Sequence, residues 1–191
     1  AILERSGLAE DLLNGFAKLF GGVPGGLAYA VIVVGAILGA ITGTVAASVI
    51  AIGVIALPIM LRNGYNPRLA TGVVAASGTI TQVIPPSLVL IVLADQLGKS
   101  VGDMYLGAIG PSIAQVLIFI GFILMMSIIR PQSMPPLPKE ERVSKGWTLW
   151  KDVLLAIVPS LALIFVVLGT IFMGLATPTE AGAMGVVGAM I

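Results

Sequence analysis

The chain has 191 residues, of which 58% are apolar and 10% charged, with ten basic and nine acidic side chains and a net charge of +1; its mean hydropathy is +1.09. A soluble domain carries about 25% charged residues, so the balance points to a bilayer, and no basic patch interleaved with aromatics supports nucleic-acid binding. The absence of Cys and His removes disulfides, thiolate metal sites and the usual proton shuttle.

Residues 4–20 place Leu8, Leu12, Leu13, Phe16, Leu19 and Phe20 at helical spacing, with Glu4, Arg5, Glu10, Asp11 and Lys18 between them. This pattern predicts an amphipathic helix, lying at the membrane interface or packed on a bundle. With the Gly-rich turn that ends it, the segment occupies 1–24. From Leu19 to Leu61 no residue is charged. That run is too long for one span, which needs about 20 apolar residues, and barely long enough for two. It is interrupted by Gly39, Thr42, Gly43 and Thr44. Residues 25–61 are therefore expected to form a re-entrant helical hairpin, two short helices meeting at a polar tip. Such a tip must face protein or a water-filled cavity, because unpaired backbone is not tolerated against lipid.

A turn containing Asn63, Gly64, Asn66 and Pro67 precedes the next apolar run, 68–94. Ser77, Thr79, Thr81 and Gln82 make that run polar, and the adjacent Pro85 and Pro86, followed by Ser87, should break it. A plainer helix is expected at 104–129. The polar loop 130–152 carries Arg130, Lys139, Arg142, Lys145 and Lys151 and separates two halves. Trp147 and Trp150 suit an interfacial belt. Residues 153–191 open a second half, with Thr177, Pro178 and Glu180 fitting a capping box. With no initiating Met and an apolar run still open at Ile191, the sequence reads as an internal piece of a larger membrane protein.

If 25–61 returns to its starting side, Lys18, Arg62, Arg68, Arg130 and the basic residues of 139–151 share one face, and Lys99 lies opposite. The positive-inside rule makes that shared face cytoplasmic.

Two polar groups stand out as sites. Thr42, Gly43 and Thr44 present two hydroxyls at a helix end, where unpaired backbone groups can meet an ion. The alternative is packing, since Gly35, Gly39 and Gly43 form a small-xxx-small stripe and Thr hydroxyls often bond a carbonyl one turn back. Ser77, Gly78 and Thr79, with the break at Pro85, Pro86 and Ser87, form the second group; a simple Pro kink does not account for the polar cluster upstream of it. Glu180 is explained by capping. Asp95 and Asp103 read as solvated, and Gln115, Ser127, Ser160 and Thr170 as interhelical contacts. An intramembrane serine protease built on Ser77 would need a base, and this sequence offers no His and no embedded Lys or carboxylate in its place.

Several ordered motifs resemble one family, the large membrane subunit (DctM type) of TRAP transporters, the tripartite ATP-independent periplasmic systems. They are Gly21-Gly-Val-Pro-Gly-Gly-Leu27, Thr42-Gly-Thr44 with Ala46 and Ala47, and Leu57-Pro-Ile-Met60 followed by Gly64 and Tyr65. Ala76-Ser-Gly-Thr79 leading to Ile84-Pro-Pro-Ser87, and Ala176-Thr-Pro-Thr-Glu-Ala-Gly182, complete the set. Two positions depart from the family pattern: the tip is Thr-Gly-Thr where a Ser-rich form is usual, and Gln82 stands where Gly is common. The resemblance implies an all-α integral membrane protein, an elevator-type secondary transporter with inverted repeats, a re-entrant hairpin and a broken transmembrane helix. It implies a multi-pass permease in the bacterial or archaeal inner membrane, importing small organic acids with Na⁺ as the coupling ion and no cofactor. The implied partners are a small membrane subunit, a periplasmic substrate-binding protein and the surrounding lipids. Thr42, Gly43, Thr44, Ser77, Gly78 and Thr79 would line an ion site near the substrate, with Na⁺ held by Thr42, Thr44, Ser77 and Thr79, and Pro85, Pro86 and Ser87 would fix the break. A Na⁺/carboxylate symporter working without a binding protein is the neighbouring alternative.

Overall fold

The computed structural model describes residues 8–138, 147–177 and 179–183. Glu4, Arg5, Lys139, Arg142, Lys145 and Pro178 lie outside the described residues, as do the side chains of Trp147, Trp150, Lys151 and Ser160. Among the described residues every regular element is helical.

The first helix, α1 (Leu8–Phe20), buries Ala9, Leu12, Leu13, Phe16 and Ala17 and exposes Glu10, Asp11 and Lys18. Its acidic first turn and basic last turn complement the helix dipole. It packs on the bundle, against α2 (Gly26–Thr42) and α7 (Trp147–Phe172). Phe16 stacks on Phe20 at 6.1 Å. The chain then turns at Gly25, whose φ of 85° lies in the left-handed region that glycine enters without a Cβ penalty.

Helix α2 carries no charge and is the centre of the bundle. It touches α1, α3 (Val45–Arg62), α4 (Pro67–Thr79), α6 (Val101–Ile129) and α7. A helix apolar on all sides is stable only when covered on all sides, and here Leu27, Val31, Ile32, Val34 and Leu38 are buried. It ends at Gly43 (φ 62°), whose N–H donates to the Gly39 carbonyl, and Thr44 returns to extended backbone before α3 begins. The chain thus reverses within two residues.

Helix α3 packs along α4. Between them, Asn66 caps α4 by accepting the Arg68 N–H through its side chain at 3.0 Å, and Pro67 takes the first helical position. Helix α4 stops at Thr79. A 3₁₀ turn (Ile80–Gln82) and five irregular residues follow before α5 (Leu88–Leu97). The expected break is therefore present, and it starts at Ile80, upstream of the prolines. Left-handed Gly98 ends α5, and α6 carries Pro111 inside a 29-residue helix.

A strap after α6 ties three points of the chain together, at Gly21, Gly25 and Asn66. The Gly25 N–H donates to the Met134 carbonyl at 3.1 Å, the Asn66 N–H to the Ser133 carbonyl at 3.0 Å, and the Leu137 N–H to the Gly21 carbonyl at 3.0 Å. The Leu27 N–H reaches the Tyr65 hydroxyl at 3.2 Å. The start of α2, the α3–α4 turn and the end of α6 therefore share one end of the molecule, and α2 with α3 returns to that end. Arg62, Arg68 and Arg130 all sit there, at or beside the termini of these helices.

Two described helices, Val45–Arg62 and Val101–Ile129, are long and apolar enough to cross a membrane, and shorter apolar helices lie at Gly26–Thr42, Leu88–Leu97 and Leu161–Phe172. Helix α6 turns Leu106, Ile113, Leu117, Phe122 and Ile128 outward, an apolar surface suited to lipid or to further protein.

Candidate functional site

The glycine stripe of α2 sets how closely the site's elements approach. A Cβ built on Gly35 would lie 2.8 Å from Ser77 Cβ, and one on Gly39 would lie 2.7 Å from Thr81 Cγ2 and 3.0 Å from Thr81 Cα. On the other side of α4, a Cβ on Gly78 would overlap Val49 of α3. Gly35, Gly39 and Gly78 thus serve packing. Gly43 is different. It continues the same stripe but forms the left-handed tip, and a Cβ there would stand 3.3 Å from the Pro86 carbonyl oxygen and 4.0 Å from the Leu88 nitrogen.

The tip of the α2–α3 hairpin therefore sits directly against the break in α4–α5. Both lie part-way along α6, because the Ser112 hydroxyl of that helix reaches the Val83 carbonyl at 2.8 Å while sharing its proton with the Ala108 carbonyl one turn back at 2.6 Å. At 1.5 Å per residue, α2 is about 25 Å long and α6 about 43 Å, so neither interruption reaches the far end of α6.

The hydroxyls are arranged as follows. Thr42 Oγ1 and Ser48 Oγ are 2.6 Å apart. Ser77 donates to the Val74 carbonyl, Thr79 to Ala76 and Thr81 to Gly78. Ser77 and Thr81 are buried, while Thr44 and Thr79 are exposed. Each back-bonded hydroxyl has spent its single proton and keeps oxygen lone pairs for a cation or a donor. No hydrogen bond joins Thr42 or Thr44 to Ser77 or Thr79 among the described residues; the direct meeting point of the two segments is Gly43 with Pro86.

Helix ends supply the local electrostatics, since residues 69–94 contain no ionisable acid or base. The C-terminus of α2 and the N-termini of α3 and α5 converge here. A C-terminal carbonyl cluster favours a cation and N-terminal amides favour an anion. Both N-cap residues could cap with a hydroxyl, yet neither Thr44 nor Ser87 does so. Ser87 instead donates to the Gln82 carbonyl at 2.7 Å, bridging the break. The first-turn amides of α3 and α5 are left without that side-chain acceptor.

Two contributors escaped the sequence reading. Ser48 is fully buried and partners Thr42; its signal was a small polar residue one turn inside an apolar helix. Ser112 holds the broken strand of chain from the side, and its neighbour Pro111 gave no hint of that. The capping box forms as expected: Glu180 Oε2 accepts the Thr177 N–H at 2.8 Å, and the Glu180 N–H reaches Thr177 Oγ1 at 3.4 Å. A nucleophilic Ser77 does not fit, because its hydroxyl is buried and committed to its own helix.

Residues 1–191 match the family described as the tripartite ATP-independent periplasmic transporter, DctM component. The chain is 34% identical over 188 residues to the C4-dicarboxylate TRAP transporter large permease protein DctM of Vibrio cholerae, covering 97% of this chain and 39% of that protein. It is 33% identical over 194 residues to the protein of the same name in Pseudomonas aeruginosa, covering 98% and 42%. To the ectoine TRAP transporter large permease protein TeaC of Halomonas elongata it is 30% identical over 190 residues, covering 100% and 43%. The chain spans less than half the length of these relatives.

Proposed function

Because this chain belongs to the DctM family, the large permease component of tripartite ATP-independent periplasmic transporters, we propose that its hairpin tip and helix break form half of a Na⁺ and carboxylate site. Members of the family are transporters, not enzymes. The full protein, on this reading, imports small organic acids, C4-dicarboxylates among them, across the inner membrane. It works with a periplasmic binding protein and a small membrane subunit. The chain holds most of the first of two inverted repeats and the start of the second, and the repeat moves as an elevator. The hairpin is re-entrant, its tip at mid-depth.

One observation carries the proposal: Gly43 and Pro86, two interruptions of helical backbone, meet within 3.3 Å part-way along α6. Broken helices facing each other at depth are where transporters place ions and substrates. On this reading the hydroxyl oxygens of Thr42 and Thr44, with carbonyls at the α2 C-terminus, are the hard donors for Na⁺ at the tip, and those of Ser77 and Thr79 would join them as the two segments close. The amides opening α3 and α5 offer an anion the complementary end of the same junction. One net charge moving through 100 mV supplies about 2.3 kcal/mol, so Na⁺ entering in excess of the charge on the carboxylate supports accumulation without ATP.

The test uses the full-length protein made Cys-free elsewhere, with a single Thr44→Cys replacement and a membrane-impermeant thiol reagent. Protection in Na⁺ but not in K⁺ is expected. Equal labelling in both salts removes the case for a Na⁺ site at the tip. Uptake that needs no periplasmic protein would assign the chain to a binding-protein-independent mode.

A further inference from the structure

On the face of α4 turned away from α3, a groove of about 620 Å³ runs between α4 and α6, within the roughly 300–1,000 Å³ typical of small-molecule sites. Its length is apolar, walled by Leu69, Val73, Ile118, Phe122 and Met126. Its mouth is not: Arg68 and Arg130 line it there, together with Asn66 and Ser133. Arg68 lies in the first turn of α4 and Arg130 closes α6, so the strap that ties Asn66 to Ser133 brings these two residues to one end of the groove. Both arginines are exposed, and neither has an ion-pair partner among the described residues.

We propose that this groove binds one anionic phospholipid, its phosphate between Arg68 and Arg130 and an acyl chain along the apolar wall. The mouth needs clustered negative oxygen and the wall needs a long apolar chain; a phospholipid joins both in one molecule. An apolar protein segment would fill the wall and offer the two arginines at the mouth no anion. The mouth also lies on the basic face of the molecule, where the positive-inside rule puts the cytoplasm. Basic pockets between helices on that side are suited to anionic headgroups. The site is separate from the Gly43–Pro86 junction and does not depend on Na⁺ coupling.

Gly72 gives an independent handle, since it lines the groove and a Cβ there meets no atom within 4 Å. The full-length permease in neutral detergent is titrated with palmitoyl-oleoyl phosphatidylglycerol or the matching phosphatidylcholine, and the lipid-dependent rise in Tm is followed. The wild type should respond more strongly to phosphatidylglycerol. R68Q/R130Q should weaken that response by roughly thirty-fold in apparent affinity, the loss expected for two basic residues at an anionic headgroup. G72L should block the groove and lose it as well, whereas G107L, the same change at an open position outside the groove, should keep it. A phosphatidylglycerol response that is unchanged in R68Q/R130Q, or kept in G72L, overturns the proposal. So does a lipid-insensitive wild type whose lipid-free Tm falls in G72L, because the groove would then be filled by another part of the protein.

Discussion

Replacing Gly39 by Ala tests the packing that brings the hairpin to the break. The new methyl would stand 2.7 Å from Thr81 Cγ2 and 3.0 Å from Thr81 Cα, where carbon pairs rest at about 3.5–4.0 Å. The 3₁₀ turn must move off α2 by about 0.5–1 Å, and backbone cannot swing aside as a flexible side-chain end can. Overpacking of this kind costs about 1–3 kcal/mol, against about 0.8–1.0 kcal/mol gained when a helical Gly becomes Ala. Gly72→Ala carries the same propensity gain with no neighbour to displace, so the difference between the two variants isolates the clash, at about 1–3 kcal/mol. The assay is thermal unfolding of the purified full-length protein, with G72A expected at or above wild type and G39A below it. Thr81→Ser added to G39A removes the 2.7 Å contact, keeps the hydroxyl that donates to Gly78, and leaves the 3.0 Å one; recovery should be partial. Ion-driven uptake in proteoliposomes should fall further than stability does, because the shift also carries Pro86 away from Gly43. G39A melting at or above G72A, or no recovery with Thr81→Ser, would refute this account of the α2 contact.

Tyr65→Phe should cost about 1–3 kcal/mol in unfolding experiments, since it orphans the buried Leu27 N–H. Burial pushes the Tyr65 hydroxyl up to about 12 from 10.0; the unfolded chain therefore ionises first, and the contribution is complete below pH 10 and declines as pH climbs towards 12. A pH–stability curve should lose that alkaline decline in the Phe variant, and identical slopes would contradict the assignment. Ser112→Ala removes the one hydroxyl proton that the Val83 carbonyl at 2.8 Å shares with the Ala108 carbonyl at 2.6 Å; it should destabilise by about 1 kcal/mol and loosen the break enough to raise labelling at Thr44→Cys, and unchanged labelling would mean the break holds itself. Thr42→Val keeps shape and removes one oxygen. It should raise the Na⁺ concentration for half-maximal uptake by about tenfold, the scale of one hydrogen bond to a charged group, while leaving substrate KM at saturating Na⁺ near wild type. A change confined to substrate KM would move Thr42 from the ion to the substrate.

Much of this molecule was legible in its sequence because it depends on local rules. Uncharged runs gave the apolar helices, Thr42-Gly-Thr44 the reversal, and Thr177 with Glu180 the capping box, each a matter of hydropathy, backbone freedom or capping within a few residues; Pro85 and Pro86 marked the neighbourhood of an interruption that starts upstream at Ile80. The amphipathic pattern of 8–20 gave a helix but left open whether its apolar face meets lipid or protein; Leu12 and Phe16 turn out to be buried on α2 and α7. Other facts are non-local and could not be read from spacing. The stripe Gly35, Gly39 and Gly43 looked like one packing device, yet two of its members receive Ser77 and Thr81 while the third becomes the tip against Pro86. The hydroxyls of Thr42 and Ser48 met because the chain reversed between them, and Arg68 and Arg130 line one groove because a strap drew two helix ends together. Sequence determined which segments are helical, since that choice is settled over a turn or two of backbone, whereas the stop at Thr79, ahead of the prolines, was set where the chain packs on α2. Tertiary structure alone decided which interruptions face each other, because that follows from close approach of residues more than 40 positions apart along the chain.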